Sequence, residues 1–401
     1  MKIRVGVIGG GITGLATAFK LLKKRADRIE LSLMEKEREV GLHQSSHNSG
    51  VLHAGLAYAP HSAKAQLARS GIRQMIAFCR EHDIPHEQCG KLVLATDSQE
   101  VEELEKLRTN GLRNGLIGLR ILDREEYLEK EPYAGGVKAL LVPEEGIVDF
   151  KGVCDGLRRE IEALGGHVVN GFKFTAVEQR GGEQRLQSSK GEEVAVDYTI
   201  NCGGLYADRI AHLFGVHPAV RIVPFRGDFY RFKASSDRLV NDLIYPLADP
   251  RYPFLGVHLT RLITGEKEAG PNAVLAFSRE GYNWWDIHPG ELGSALSYKG
   301  FRRFVKKHPY MVASELQSTL WKSHFVKRLK PLLPEIEERD LEKSRSGVRA
   351  QAMDKKGNLA GDFELMQGEH STHLINAPSP AATASLAIGD WISDKVLSYL
   401  D

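Results

Sequence analysis

At 401 residues, 42% hydrophobic and 26% charged, the chain has the composition of a soluble globular protein with room for about two or three domains. A formal net charge of +2 supplies no global attraction for nucleic acid or an acidic partner, and no run approaches the ~18–20 consecutive apolar residues of a membrane-spanning helix. The four cysteines, Cys79, Cys89, Cys154 and Cys202, lack CxxC spacing, which argues against a zinc site and a disulfide framework.

Residues 3–8 are an apolar β-branched run that predicts a strand, 9–14 a glycine turn, and 12–24 a helix with the stripe Leu15, Ala18, Phe19 and Leu22. With a second strand over 29–34, this makes one βαβ unit of mononucleotide-binding size. No secretory signal or transit peptide is read ahead of it, and a reducing cytoplasm is the expected location. The periodicity next predicts a helix over 62–82, a strand over 91–95, a charged helix over 100–110 and a strand over 137–142. A helix over 152–164 closes on Gly165 and Gly166. Strands follow over 167–170 and 172–178, then a hairpin near Gly181 and a strand over 194–202. A second block of strands covers 221–233 and the surroundings of Tyr245 and His258, and the chain finishes with a strand over 372–375, a loop over 377–381 and a helix to Leu400. No repeat or low-complexity linker is visible, so the domains are expected to interleave.

Gly9, Gly11 and Gly14 fit G-x-G-x-x-G between a strand and a helix. The first glycine permits the tight turn, the second lets backbone approach a pyrophosphate, and the third allows close helix–strand packing. Ile12 and Thr13 lie in the same turn, and Glu35, followed by Lys36, stands about 20 residues on, where a carboxylate meets a ribose hydroxyl. That carboxylate disfavours the 2′-phosphate of NADP but leaves FAD and NAD open. A single fingerprint implies that electrons come directly from the substrate.

Several separate motifs then resemble a known family. They are His47-Asn48-Ser49-Gly50-Val51-Leu52-His53-Ala54-Gly55, Phe225-Arg226-Gly227-Asp228, Pro253-Phe254-Leu255-Gly256-Val257-His258, the 270–277 segment, Gly347-Val348-Arg349-Ala350-Gln351 and Asn376-Ala377-Pro378-Ser379-Pro380-Ala381-Ala382-Thr383. Over nearly the whole chain they resemble the L-2-hydroxyglutarate dehydrogenase/oxidase family of D-amino-acid-oxidase-type flavoproteins. The resemblance implies an α/β fold in which a Rossmann-like FAD-binding domain (1–85, 148–215 and 345–401) interleaves with a mixed β-sheet substrate-binding domain (86–147 and 216–344). It also implies oxidation of L-2-hydroxyglutarate to 2-oxoglutarate by hydride transfer to flavin N5, with electrons passing to a quinone or to oxygen.

Oxidising a 2-hydroxy acid requires a cation for the carboxylate, a base for the hydroxyl proton and a C–H aimed at the flavin. Arg349, in the Gly-x-Arg segment that the resemblance assigns to the substrate carboxylate, is the candidate clamp, because a guanidinium binds bidentately. His53, in the flavin loop, is the first candidate base and His258 the alternative; each also reads as a hydrogen-bonding structural histidine. Arg226 is a candidate for a second carboxylate or for pinning a strand, and Tyr245, Lys64 and Asn272 are further candidates for substrate contact. The cofactor-binding set adds His47, Asn48, Ser49, Gly50, Leu52, Val177, Cys202, Gly203, Gly204, Gly347 and the residues Pro378, Ser379, Pro380, Ala381, Ala382 and Thr383. Cys202 reads as a small buried residue, and no metal site is expected.

Between 299 and 330 basic residues interleave with Phe301, Phe304, Tyr310, Trp321 and Phe325, and Glu315 is the only acid. The segment suits either peripheral contact with an anionic membrane or a pair of solvated helices with aromatics packed inward. Two alternatives to the leading function stay open: the same fold acting on an amino acid or glycerol 3-phosphate, and a dinucleotide-binding protein without chemistry.

Overall fold

The computed structural model describes residues 2–249 and 254–400; Pro253 of the 253–258 motif lies outside them. Two large sheets organise the chain. The first has six strands in the order Glu364–Gly368, Ser371–Asn376, Tyr198–Asn201, Ile3–Ile8, Ile29–Glu35, His167–Asn170, all parallel except the antiparallel first pair. Ile3–Ile8 is paired on both edges and covered on both faces: Val5 and Val7 pack with the helices on one side and Ile8 with Met34, Phe172 and Leu186 on the other, which is why the run is apolar without alternation. Its last residue, Ile8, lies beside Met34 on one side and Asn201 on the other, leaving Gly9 at the carboxyl edge of the sheet.

The helix Ile12–Arg25 buries Leu15, Ala18, Phe19 and Leu22 and ends on Lys23, Lys24 and Arg25, matching the negative end of its dipole. The helices Ala63–Glu81 and Ala381–Leu400 pack in the same layer. Ala63–Glu81 begins where Ser62 accepts a hydrogen bond from Ala65 N at 3.1 Å.

The second sheet is mixed. Its path runs Val274–Leu275, Val220–Phe232, Lys267–Gly270, His258–Arg261, Ile244–Pro246, Lys91–Ala95, Lys138–Val142, Arg120–Asp123, with Leu341–Asp354 paired to Val220–Phe232. Its strands come from 91–142 and 220–354, whereas those of the first sheet come from 3–35, 167–201 and 364–376, so the chain passes back and forth between the two. The strand Leu341–Asp354 spans 345, where the expected domain boundary falls; its antiparallel pairing to Val220–Phe232 shifts register there, between Lys343 and Ser346, and resumes on either side.

Two local expectations change. The single strand expected over 194–202 is two strands, Glu193–Val196 and Tyr198–Asn201, in different sheets. Apolar content alone does not show that the chain changes sheets at Asp197, which is held by Arg4 N at 2.8 Å. The 299–330 segment forms three helices, Lys299–Lys307, Pro309–Leu320 and Lys322–Leu329, rather than two. Phe301, Phe304 and Phe325 are buried, whereas Tyr310 and Trp321 are exposed. Among the described residues no helix is long and apolar enough to cross a membrane.

Candidate active site

Between the two sheets runs a cleft of about 1840 Å³, well above the ~300–1,000 Å³ of ordinary small-ligand pockets. Its length is lined from the fingerprint, through the 43–53 loop, to the second sheet.

At the fingerprint end Gly9 has φ +109°, and a Cβ on Gly14 would fall 2.0 Å from Gly9 O, so the turn excludes larger residues at both positions. The N-cap of the following helix, Gly11, has no side chain to cap it and its first turn holds no acid; Ile12 N donates to Ser45 Oγ at 2.9 Å, and Gly11, Ile12 and Thr13 line the cleft. The buried Glu35 accepts hydrogen bonds from Gly10 N at 2.7 Å and Glu37 N at 2.9 Å, and keeps further lone pairs for a ligand. Lys36 lines the cleft and pairs with Glu37 and Glu280. Gly203 and Gly204 line the same end beside Cys202, whose thiol burial pushes up to about 12. All four cysteines are free. A strand-end glycine turn, a helix N-terminus without an acid and a carboxylate at the second strand's end fit a dinucleotide's pyrophosphate and ribose.

The middle of the cleft is lined by His47, Asn48, Ser49, Gly347 and the 377–383 loop. His47 Nδ1 meets Ser346 O at 2.9 Å, tying this loop to the second sheet, and burial lowers the pKa of its imidazole. Asn48 spends its side chain on the loop itself, donating to Gln44 O and Ser45 O and accepting from Gly50 N at 2.9 Å. Gly14, Gly50, Leu52 and Val177 do not line the cleft. Gly14 packs the helix onto the turn and Gly50 turns the loop with φ +67°. Leu52 is core, and Val177 packs beside Ile8 and Met34. Residues 172–175 line the cleft in Val177's place.

At the far end the backbone assembles a charged cluster. Val51–Leu52 pairs antiparallel with Gly146–Val148, Val51 opposite Ile147 and Leu52 opposite Gly146. The next step along this ladder brings His53 opposite Glu145, and Gly90 N donates to Glu145 O at 3.0 Å, which delivers Lys91 to the same point. His53 Nδ1 lies 3.5 Å from Glu145 Oε2, and Lys91 Nζ forms an ion pair with that carboxylate. Glu145 Oε1 accepts from Ala54 N at 3.0 Å. Burial alone would raise the Glu145 carboxyl, but Lys91 and His53 outweigh it and hold the pKa down to about 2. Thr383 Oγ1 accepts from His53 N at 3.2 Å and donates to Val51 O, fixing the backbone of the loop.

Opposite stand Tyr245 and His258 on neighbouring strands, their rings stacked at 4.1 Å, with Lys91 Nζ 4.8 Å from the Tyr245 ring. Burial raises the Tyr245 hydroxyl, which makes no well-formed hydrogen bond among the described residues; Ser49 and Thr260 are its polar neighbours. Burial lowers the pKa of His258 to about 3, and Arg349 acts in the same direction; its Nδ1 meets Gly256 O at 3.1 Å. His258 is therefore neutral near pH 7 and ill-suited to hold a proton. Between the ordinary histidine pKa of about 6.5 and about 3, the unfolded chain binds a proton there that the folded chain does not, so this histidine's contribution is present above that window and lost as pH falls through it. A His258→Gln variant is expected to show a shallower fall of melting temperature between pH 6.5 and 4 than the parent protein.

Arg349, opposite Phe225 in the pairing of Leu341–Asp354 with Val220–Phe232, lines the cleft half-buried, its guanidinium 5.8 Å from the Phe254 ring. Among the described residues its side chain makes no hydrogen bond and no ion pair, and burial lowers its pKa. Arg226 and Asn272 are not on the cleft wall. Arg226 is buried against Trp284, 3.9 Å from its ring, with Nε 3.0 Å from Asp228 Oδ1. Asn272 accepts from Asp228 N at 2.7 Å and donates to Thr319. Both are held by partners within the fold, Arg226 by its ion pair with Asp228 and Asn272 by hydrogen bonds on both ends of its amide, although Arg226 Nε itself makes no well-formed hydrogen bond among the described residues.

Two residues that sequence reasoning passed over, Glu145 and Lys91, complete the cluster. Lys91 carries a faint signal as a charge opening the otherwise apolar strand Lys91–Ala95; Glu145, beside Glu144 in a turn, carries none.

Residues 4–395 match the DAO family model, FAD dependent oxidoreductase. The chain belongs to this family of FAD-dependent oxidoreductases. Like it are an L-2-hydroxyglutarate dehydrogenase of Indibacter alkaliphilus, 44% identical over 99% of both chains, and the human mitochondrial L-2-hydroxyglutarate dehydrogenase, 38% identical over 97% of this chain and 88% of that one. Among solved structures, the FAD-bound L-α-glycerophosphate oxidase of Mycoplasma pneumoniae has a TM-score of 0.77 at 21% identity, over 99% of this chain and 95% of that one. Glycine oxidase from Geobacillus kaustophilus gives 0.71 at 18%, over 99% and 95%. At such identities the structural likeness speaks for the fold. The FAD-dependent oxidoreductase family settles the cofactor that the fingerprint left open between FAD and NAD.

Proposed function

We propose that this flavoprotein oxidises L-2-hydroxyglutarate to 2-oxoglutarate. The observation that carries the reading is Arg349, a half-buried cation on the cleft wall with no acid in ion-pair range among the described residues, Glu315 acting on it only from beyond contact. A desolvated guanidinium without an anion is costly, and a substrate carboxylate supplies the missing partner bidentately. Relatives at 38–44% identity over nearly the whole chain carry the name of this reaction.

In this reading Arg349 binds the carboxylate next to the hydroxyl-bearing carbon and so orients that carbon. His53 accepts the hydroxyl proton. With Nδ1 turned to Glu145, its Nε2 is the free acceptor, and the carboxylate stabilises the imidazolium that forms. Lys91 keeps Glu145 ionised, and the Tyr245–His258 stack walls the site with groups that stay neutral. Gly9, Gly11, Thr13, Glu35 and the 45–51 and 377–383 loops would hold FAD, which supplies the two-electron acceptor when bound. The FAD-binding part comprises 1–85, 148–215 and 345–401 and the substrate-binding part 86–147 and 216–344, the strand Leu341–Asp354 being shared across the boundary at 345.

Electrons leave to a quinone or to oxygen from a cytoplasmic enzyme that touches the membrane through 299–330, where the exposed Tyr310 and Trp321 accompany the basic residues. Sedimentation with anionic liposomes at low salt tests that contact, and protein left in the supernatant rejects it. The substrate is tested by adding L-2-hydroxyglutarate anaerobically to the holoenzyme. Bleaching of the flavin band is expected, an unchanged spectrum refutes the reading, and the speed of recovery in air separates oxygen from another acceptor.

A further inference from the structure

The cleft is lined by more cations than one carboxylate needs, and their partners sort them. Lys36 pairs with Glu37 at 3.2 Å, Lys106 with Glu103 at 2.8 Å, Arg209 with Glu291 at 2.8 Å, and Lys91 with Glu145. Lys173 is exposed beside the fingerprint, where Phe172 N bonds Glu35 O. Among the described residues, two half-buried cations on the wall are left without an acid in ion-pair range: Arg349 and Lys64.

Lys64 stands in the first turn of the helix Ala63–Glu81, where the dipole disfavours a cation. Its Nζ lies 4.6 Å from the Tyr58 ring and donates one long hydrogen bond, 3.3 Å, to Gly361 O. Burial lowers its pKa, and the one acid acting on it, Asp362, is not in contact. Neither the aromatic face nor a single carbonyl neutralises an ammonium. Lys64, against Tyr58 and Gly361, and Arg349, against Phe254, line the same cleft, whose wall also carries Tyr245 and Ser379. Both stand apart from Gly9, Gly11, Gly203 and Gly204, the glycines of the cleft that suit the pyrophosphate.

We infer that Lys64 is the specificity determinant for the distal carboxylate of the substrate, making the site one for a five-carbon dicarboxylate rather than a short 2-hydroxy monocarboxylate. The inference rests on the 2-hydroxy acid reading above and assigns the second negative end that this reading leaves unpartnered. A dicarboxylate brings one charge to Arg349 and one to Lys64, so each desolvated cation receives its own counter-charge. A monocarboxylate leaves Lys64 uncompensated and forgoes that interaction.

The test uses two unreactive probes, glutarate and butyrate, titrated into the oxidised holoenzyme and read by the perturbation of the flavin spectrum. The parent enzyme is expected to prefer glutarate by tenfold or more. Lys64→Met is expected to weaken glutarate binding by about tenfold or more while butyrate affinity moves less than twofold, and Lys64→Arg to keep most of the preference. FAD affinity, measured separately by fluorescence on reconstitution, is expected to stay unchanged in both variants. Equal loss of both probes, retention of the preference in Lys64→Met, or a fall in FAD affinity each overturns the assignment. A parent enzyme that bleaches with L-2-hydroxyglutarate yet binds both probes alike overturns it while leaving the reaction standing. A parent enzyme that does not bleach removes the substrate reading and the inference with it.

Discussion

Replacing Arg349 with lysine is expected to raise the KM for L-2-hydroxyglutarate about ten- to a hundredfold, the equivalent of about 1.5–3 kcal/mol for one charge-assisted hydrogen bond. Lysine keeps the charge but offers a point donor in place of a planar fork, so one of the two contacts to the carboxylate is lost. Arg349→Met removes both and is expected to abolish measurable saturation. The stability readout runs the other way. Among the described residues Arg349 makes no hydrogen bond or ion pair, so removing it breaks none there and relieves a desolvated charge. The melting temperature of Arg349→Met is therefore expected to stay level or rise, a trade-off typical of binding sites. Steady-state kinetics with a thermal melt checks both, and a drop in melting temperature with an unchanged KM would make Arg349 a structural residue.

His53→Gln is expected to slow flavin bleaching by about 10²–10⁴-fold, the range that a positioned general base supplies, with a KM close to that of the parent. Glutamine keeps the size and polarity of the loop but cannot take a proton. Glu145→Gln is expected to slow bleaching less, because the imidazole remains and only its orientation and the stabilisation of its charged form are weakened. It also leaves Lys91 paired to a neutral amide inside the fold, and a buried cation losing its partner costs about 3–5 kcal/mol. Glu145→Gln is thus expected to be the less stable of the two variants and the more active. Stopped-flow bleaching and thermal melts of both proteins test the order, and a His53→Gln enzyme that bleaches at the parent rate would move the base elsewhere. His258 is a poor alternative, since its pKa is lowered to about 3.

The membrane-facing alternative for 299–330 is only partly a matter of pattern. The interleaved aromatics divide, Phe301, Phe304 and Phe325 packing inward and Tyr310 and Trp321 outward. Helical periodicity within each of three short helices sets this division, and the sequence does not show where one helix stops and the next begins. Glu315, which stands out as the only acid there, is committed within the fold, to Arg328 at 2.8 Å and to Ala273 N at 2.8 Å.

What the amino-acid order determined by itself is local. The strand, turn and helix of the fingerprint follow from Ile3–Ile8, Gly9, Gly11 and Gly14, because period and steric demand act over a few residues. The helix start at Ser62 and the placement of Glu35 at the end of the second strand are legible for the same reason. Tertiary structure decided everything that depends on which cation finds an acid. Arg226 and Arg349 each sit in a glycine-flanked strand motif, and nothing local separates them; the fold gives one Asp228 and Trp284 and gives the other an open cleft. The meeting of His53, Glu145 and Lys91 was equally invisible, since it rests on the register of a two-residue strand against a three-residue one. Strands so short carry no readable period. Their pairing is set by the sheets they bridge, and that pairing turns a loop histidine into one held by a buried carboxylate.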